Sequence, residues 1–343
     1  MLYWQQLSSV GPVQNCLSRI FLWSCNFGRF FMLVQTEDLS VFYGKSLALD
    51  NINLSINSKS TGLLGPNGAG KSTLIKTLLG FLIPSSGSVK IFGSSVRDNP
   101  IKARHQIGYM PENDCHIPDM TGLDFVSYMG ELTGMPKDDA TQRAHEVLQY
   151  VNLGEARYRK VDTYSIGMKQ RVKLAQALTH DPMVLLLDEP TNGMDPTGRQ
   201  EILELIRDIS THKNIDIIFS SHILDDVEYV CEDVIALNQG KVVLAGNMKQ
   251  LKSEHRPSYE LKIKGNQEAY IHALRKNDCE VDIRSSVEIR VTSQNSMSIN
   301  NNLFFQLAIE TGIQIRHLGL VEQSLEDIFM TAVEYSEPSS FPT

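Results

Sequence analysis

The feature that most constrains the fold is a glycine-rich turn, "GPNGAGKST", between a short apolar run and a stretch of helix-forming residues. It has the spacing Gly65-x4-Gly70-Lys71-Ser72, the P-loop pattern. Such a turn needs a strand before it and a helix after it, and "TGLLG" and "KSTLIKTLLG" fit both. The glycines let the backbone wind around an anion at the positive end of the helix. The pattern predicts an α/β fold; the alternative is a chance glycine-rich turn.

Single residues of this turn have expected roles. Lys71 is expected to reach the β- and γ-phosphates of a nucleoside triphosphate, and Ser72 to give its hydroxyl to Mg²⁺. The candidate ATP-binding residues of the turn are Gly65, Pro66, Asn67, Gly68, Ala69, Gly70, Lys71, Ser72 and Thr73. Alone, the turn predicts only that the chain binds a nucleoside triphosphate.

Two further apolar runs, "MVLLLDEP" and "IDIIFSSH", end in polar residues. Such runs are typical of parallel strands buried on both faces, and ligands of open parallel sheets bind beyond the carboxyl ends of the strands. Asp188, Glu189 and His222 come at those ends. We expect Asp188 to hold Mg²⁺ and Glu189 to orient or deprotonate a water. The pair alone would also fit a solvated strand end, but combined with a P-loop it predicts a catalytic site.

A helix is predicted at "YSIGMKQRVKLAQAL", where apolar residues recur at helical spacing. Ser165 stands at the N-cap position. Gly167 nevertheless lies in the first turn, where glycine costs about 1 kcal/mol relative to alanine. Either the cap is imperfect, or something anionic must approach the backbone there.

Composition and charge narrow the function classes. The formal net charge of −8 over 343 residues counts against binding along a nucleic-acid backbone but allows a small anionic ligand. Five cysteines without any CxxC spacing argue against a disulfide framework or a structural zinc site and fit a reducing cytoplasm. The adjacent Cys115 and His116 are expected to be loop residues rather than metal ligands. No apolar run reaches 18 residues, so the chain is not expected to span a membrane by itself.

We predict four parts along the chain. They are an N-terminal extension at 1–31, a nucleotide-binding domain at 32–251, a small α+β domain at 252–335 and a tail at 336–343. The stretch that begins at Met32 resembles a natural start of the folded domain. Residues 1–31 are therefore expected to be an extension or the result of a misplaced translation start. The polar stretch Asn247–Pro257 is expected to be a linker, and no catalytic motif follows it.

The order of the motifs resembles one family. The P-loop is followed by "YSIGMKQR", "LLLDEP", "TNGMDP" and "FSSH", an order similar to that of the ATP-binding cassette (ABC) ATPases. The resemblance covers roughly Leu39 to Leu251. It implies a P-loop NTPase of the ABC ATPase type, with a mixed sheet and helices, a helical subdomain at about 113–170 and an antiparallel β subdomain.

The resemblance also implies residue roles. Tyr43 resembles the aromatic residue that stacks on adenine, Asp195 the D-loop acid at the subunit contact, and His222 the switch histidine that contacts the γ-phosphate. With these roles, the expected catalytic residues are Glu189, His222 and Lys71. ATP and Mg²⁺ are the expected ligands.

The signature motif of this family contains Ser165, Gly167 and Gln170. In the family, two ATPase domains pack head to tail, so that the signature helix of one points at the γ-phosphate held by the other. Attraction between the helix dipole and that anion would offset the poor helix propensity of Gly167.

Two departures from the common pattern point to a subgroup. Met168 replaces the usual second glycine of the signature, and Glu112 stands where the family often has the glutamine of the Q-loop. Both variants, and the C-terminal "SLEDIFM", resemble the ATPases of ABC-2 type exporters. Glu112 is expected to contact ATP, Mg²⁺ or the attacking water.

We therefore expect an ATPase that works as a homodimer or heterodimer and docks, as a peripheral subunit, on the cytoplasmic face of a separate multi-span membrane protein. The alternative is a soluble ABC ATPase that acts on nucleic acid or the ribosome. The acidic charge and the single cassette count against it. A P-loop kinase would leave the signature motif and His222 unexplained.

Overall fold

The computed structural model describes residues 32–254, 258–293, 301–321 and 325–336. The predicted extension at 1–31 and the predicted tail from residue 337 onwards lie outside the described residues. The strands in the described part are β1 (Val34–Tyr43), β2 (Ser46–Ile56), β3 (Ser60–Leu64), β4 (Ser86–Ile91), β5 (Ser94–Ser95), β6 (Ile107–Met110), β7 (Val184–Asp188), β8 (Asp216–Ser221), β9 (Asp233–Asn238), β10 (Lys241–Asn247), β11 (Ser258–Lys264), β12 (Cys279–Ile283), β13 (Glu288–Ser293) and β14 (Gln314–Val321).

The α-helices of the same residues alternate with these strands. They are α1 (Lys71–Leu78), α2 (Pro100–His105), α3 (Gly122–Leu132), α4 (Lys137–Tyr150), α5 (Ile166–Leu178), α6 (Pro196–His212), α7 (Leu224–Val230), α8 (Met248–Glu254), α9 (Gln267–Lys276), α10 (Asn301–Thr311) and α11 (Leu325–Ser336). None of the described helices is both long and apolar enough to cross a membrane.

The first sheet is antiparallel, with the strand order β2-β1-β4-β5. In β2, Ile52, Leu54 and Ile56 are buried and the residues between them are exposed. This alternation arises because successive side chains of a strand point to opposite faces. The sheet is the antiparallel β subdomain that the family resemblance implies.

The second sheet is mixed and has the order β10-β9-β3-β8-β7-β6. All its pairs are parallel except β10 with β9. Every residue of β7 and β8 is buried, as the continuous apolar runs predict. In β7, Val184 and Leu186 belong to one apolar cluster, whereas Leu185 and Leu187 belong to another. The sheet therefore lies between two apolar layers.

The strand order places the candidate residues at one edge of the mixed sheet. Strands β3, β8 and β7 are neighbours, so their carboxyl ends lie side by side. Leu64 at the end of β3 pairs with Ser221 of β8, and Ser220 pairs with Asp188 of β7. The P-loop after β3 thus meets the residues that follow β7 and β8.

The helical subdomain that the resemblance implies at about 113–170 contains α3 and α4. Thr121 caps α3, because its side chain accepts a hydrogen bond from the backbone N–H of Asp124. The signature helix α5 follows after two short 3₁₀ turns. Together these helices lie in the chain between β6 and β7 and supply the helical part that the family resemblance implies.

The predicted linker at Asn247–Pro257 is wrong for most of its length. Residues Met248–Glu254 form the helix α8, and Met248 is buried. The side-chain oxygen of Asn247 accepts hydrogen bonds from the N–H groups of Lys249 and Gln250, at 3.1 and 3.4 Å. Asn247 therefore acts as a helix-capping residue, and the polar residues after it form the exposed side of a short helix rather than a linker.

The third sheet is antiparallel, with the order β12-β13-β11-β14, and it packs with α9 and α10 around its own apolar cluster. Along the chain, α9 follows β11 and α10 follows β13. Helix α11 differs, because Leu325 and Ile328 are buried in the same cluster as the signature helix and β7. Asp327 of α11 also pairs with Arg290 of β13 at 3.4 Å. Helix α11 thus contacts both the apolar cluster of the nucleotide-binding domain and a strand of the third sheet.

Truncation of Leu325 to alanine is expected to lower the free energy of unfolding by about 2–5 kcal/mol, the usual cost of a large-to-small change in a core. Leu325 is 2% exposed. Met330 on the same helix is 52% exposed, and Met330→Ala is expected to change stability by no more than about 0.5 kcal/mol. Denaturant unfolding of both variants measures the difference. Equal stabilities would contradict the packing of α11 into the ATPase core.

Candidate nucleotide-binding site

The P-loop adopts a conformation that depends on its glycines. Gly65, Gly68 and Gly70 have positive φ angles of 154°, 82° and 108°. A Cβ atom on Gly65 would lie 2.3 Å from the carbonyl oxygen of Leu237, so a side chain does not fit there. A Cβ on Gly68 would meet nothing within 4 Å. The loop is tight at its base and open at Gly68, as a cradle for phosphate requires.

Lys71 begins helix α1 at the end of this loop and is 6% exposed. Its ammonium donates hydrogen bonds to the carbonyl oxygens of Gly65 at 2.7 Å and Pro66 at 3.4 Å. It also forms an ion pair with Glu189 Oε1 at 3.2 Å. The ammonium of Lys71 therefore lies against the backbone at the start of the P-loop.

Glu189 connects this lysine with His222. It directly follows β7, is 6% exposed and has a φ angle of +49°, so the backbone leaves the extended strand conformation at this residue. Its Oε2 lies 2.8 Å from Nδ1 of His222. The carboxylate of Glu189 thus lies between Lys71 and His222. These are the three residues that were predicted to be catalytic.

Asp188 and Ser72 form a pair suited to a divalent cation. The hydroxyls of Ser72 and Ser220 donate to Asp188 Oδ1, at 3.2 and 3.0 Å. Burial raises the pKa of Asp188, the charges of Glu112 and Glu189 add to the rise, and the two hydroxyl hydrogen bonds oppose it. A hydroxyl and a carboxylate in contact match the oxygen ligands that Mg²⁺ prefers, so these residues fit the ion.

Glu112 is exposed after β6, and its Oε1 accepts a hydrogen bond from the amide of Asn192 at 3.3 Å. Asn192 was not among the predicted site residues. Its carbonyl oxygen also accepts from Gln170 Nε2 at 3.3 Å, and Gln170 is 5% exposed. The position of Asn192 directly after "DEPT" was the signal in the sequence that could have singled it out.

The signature helix begins as predicted. Ser165 is the exposed N-cap of α5, and its side chain accepts from the N–H of Met168 at 3.4 Å. A Cβ atom on Gly167 would lie 3.4 Å from its nearest neighbour, the methyl carbon of Met194, which is an ordinary contact. The backbone φ at Gly167 is not positive either. Within the described residues, neither strain nor crowding requires a glycine at this position.

Two further predicted site residues, Tyr43 and Asp195, lie at exposed positions. Tyr43 ends β1 and is 48% exposed. Asp195 is the exposed N-cap of α6 and accepts from the N–H of Gly198. His116 and Cys115 belong to no group of three or more possible metal ligands among the described residues.

Comparisons with known proteins place this geometry in a family. A family model described as "ABC transporter" matches residues 49–192. The uncharacterized ABC transporter ATP-binding protein YxlF of Bacillus subtilis (strain 168) is 32% identical over 307 residues, which cover 88% of this chain and 99% of that protein. The chain belongs to the ABC transporter ATP-binding proteins. The bacitracin transport ATP-binding protein BcrA of Bacillus licheniformis is also 32% identical, over 303 residues that cover 88% of this chain and 97% of BcrA.

A solved structure agrees with this assignment. The ATP-binding cassette MJ0796, in a dimeric post-hydrolysis state bound to ADP and Pi, matches with a TM-score of 0.58 and 26% identity. The match covers 63% of this chain and 98% of that one. The predicted fold, a P-loop NTPase of the ABC ATPase type, is confirmed. This ABC protein is the ATP-binding and ATP-hydrolysing subunit of a transporter.

Proposed function

We propose that this ABC ATPase powers an ABC-2 type exporter by closing as a dimer on ATP and reopening after hydrolysis. The observation that carries the proposal is the contact of Lys71, Glu189 and His222 at the sheet edge. The proposed limits of its parts are 32–251 for the ATPase and 252–335 for the C-terminal domain, with α11 bridging them.

The residues of the site divide the work on ATP. The open backbone at Gly68 and the ammonium of Lys71 hold the phosphates. Bound Mg²⁺ would neutralise phosphate charge, and Ser72, Asp188 and Glu112 are the residues proposed to hold it. Glu189 accepts a proton from the attacking water, and its contact with His222 keeps the carboxylate oriented. Tyr43 stacks on the adenine.

The second half of each site is proposed to come from a partner subunit. Ser165 and Gly167 lie at an exposed helix start whose glycine the described residues do not need. The positive end of α5 suits the γ-phosphate held by the partner, and a side chain at Gly167 would stand in its way. Asp195 would meet the partner nearby. The dimeric state of the MJ0796 cassette supports this arrangement.

The exporter part of the proposal rests on similarity. The BcrA protein is named for bacitracin transport, and Met168 and Glu112 match the ABC-2 variants of the signature and Q-loop. We propose that the ATPase is peripheral, on the cytoplasmic face of a separate multi-span membrane subunit. The dimer it forms is a homodimer or a heterodimer of ATPase subunits.

Purification of the native complex from detergent-solubilised membranes tests the exporter proposal. A multi-span membrane protein is expected to co-purify with the ATPase in a fixed ratio. The association of the two proteins should persist after nuclease treatment. A preparation treated with the Mg²⁺ chelator EDTA should retain the same partner, because the proposed docking does not depend on Mg²⁺. Recovery of ribosomal or nucleic-acid components in place of a membrane protein would contradict the proposal and favour the soluble alternative.

A further inference from the structure

One charged side chain of the signature helix α5 is fully buried. Lys173 of α5 is 1% exposed, although lysine is almost never fully buried. Burial lowers the pKa of its ammonium. An apolar residue of similar volume would fill this space without the cost of desolvating a charge. The charge therefore needs an explanation in what it contacts.

The ammonium of Lys173 donates to two consecutive carbonyl oxygens, those of Pro111 and Glu112, both at 2.8 Å. These carbonyls belong to the segment after β6 that carries the Glu112 side chain. Hydrogen bonds from a charged donor are roughly twice as strong as neutral ones. Lys173 therefore ties the backbone at Glu112 directly to the signature helix.

Two other side chains on the same face of α5 contact the end of β6 and the segment that follows it. Lys169 pairs with Asp114 at 2.9 Å, and Gln176 donates to the carbonyl oxygen of Tyr109 at 2.6 Å. Positions 169, 173 and 176 are spaced i, i+4 and i+7, so they lie along one face of the helix. We call Lys169, Lys173 and Gln176 the clamp of α5.

The two elements joined by the clamp face different nucleotides in the proposed dimer. Glu112 would contact the Mg-ATP of its own P-loop, whereas Ser165 at the start of α5 would contact the ATP of the partner. Asn192 adds a second link, because it bonds both Glu112 and Gln170. A shift of the Glu112 segment is then expected to move α5 as well, since separating the buried ammonium of Lys173 from its two carbonyl partners would leave buried polar groups unpaired.

We propose that Lys173 is a positioning residue that makes the Glu112 segment and the signature helix move as one body, so that ATP at one site prepares the other. This inference rests on the proposed function, in particular on the shared sites. It assigns to Lys173 the cooperativity between the two sites, and no direct contact with nucleotide.

The test is Lys173→Met, which keeps much of the side-chain volume but removes both hydrogen bonds. Closure of the full-length dimer is titrated with Mg-ATP in a Glu189→Gln background, and affinity for ADP, which fills one P-loop without closure, is measured separately. The variant is expected to keep its ADP affinity within about twofold. The ATP concentration for half-closure should rise about tenfold, within the usual range of coupling between sites. The Hill coefficient should fall from about 2 towards 1, since it is bounded by the number of sites.

Lys137→Met is the matched control, because Lys137 is an exposed lysine at the start of α4 in the same helical part. It should leave all three values unchanged. If Lys173→Met does not fold, Gln176→Leu, which removes one clamp bond, should give the same shift in smaller measure.

An unchanged Hill coefficient in the folded clamp variants would overturn the inference. A parallel loss of ADP affinity would also overturn it, since that result indicates a merely structural lysine. If the parent protein does not close on ATP, the proposed function itself fails, and the clamp loses its role with it.

Discussion

The Glu189→Gln variant is expected to bind Mg-ATP, to accumulate as a closed dimer and to release almost no phosphate. Glutamine keeps the shape and one hydrogen-bonding oxygen of Glu189 but cannot accept a proton from water. Loss of a general base typically lowers a rate about a hundred- to ten-thousand-fold. The carboxylate lies 3.2 Å from Lys71 Nζ, so its neutralisation also removes a charge that competes with phosphate for this ammonium. ATP binding should therefore become easier while turnover stops.

Asp188→Asn is the control, because it changes the neighbouring acid in the same isosteric way. Asp188 contacts Ser72 rather than His222, so this variant should weaken Mg²⁺-dependent binding itself. Size-exclusion chromatography with Mg-ATP, run beside a phosphate-release assay, separates the two outcomes. Hydrolysis near the parent rate in Glu189→Gln would mean that this carboxylate is not the base.

The sequence could predict where the phosphate chemistry lies, because the P-loop, Glu189 and His222 each follow a strand whose buried apolar run is easy to recognise. Parallel strands share one carboxyl edge, so residues that follow them come together whatever their separation along the chain. The resemblance to a family implied a mixed sheet, but the strand order was known only from the structure. Apolar periodicity alone does not determine that order, since β3, β7 and β8 are alike in pattern.

The sequence could not predict contacts that depend on side-chain depth. Lys173 lies in a helix whose pattern allows either a solvated or a buried lysine, and only the packing of the segment after β6 against α5 decides between them. The linker prediction failed at Asn247 for a related reason. Its side chain caps α8, but a polar residue before a polar stretch is equally typical of a loop.

Helix α11 illustrates the same limit at the level of domains. Leu325, Ile328 and Phe329 are spaced so that they share one side of this helix. Which core that side joins depends on tertiary structure, and it joins the ATPase cluster rather than the neighbouring C-terminal one.

Ser165→Arg is expected to spare nucleotide binding but to block dimer closure, with a loss of turnover of about a hundredfold or more, as is typical when a donor to phosphate or developing charge is removed. If Ser165 capped only its own helix, its loss would cost about 1 kcal/mol of stability and leave catalysis largely intact. Thr121→Arg is the matched control, since Thr121 caps α3 through the same kind of bond, at 3.1 Å from Asp124 N. It should lose stability but keep its turnover.

The central claim is that each ATP lies between the P-loop of one subunit and the signature helix of the other. Mixed dimers test it directly, with Ser165→Arg in one subunit and Lys71→Ala in its partner, both in a Glu189→Gln background. The account predicts that the two lesions share one site, so each dimer retains about one ATP after free nucleotide is removed. With both lesions in the same subunit and none in the other, retention should be close to zero. The reverse pattern, with ATP retained only when both lesions are in the same subunit, would contradict the shared site.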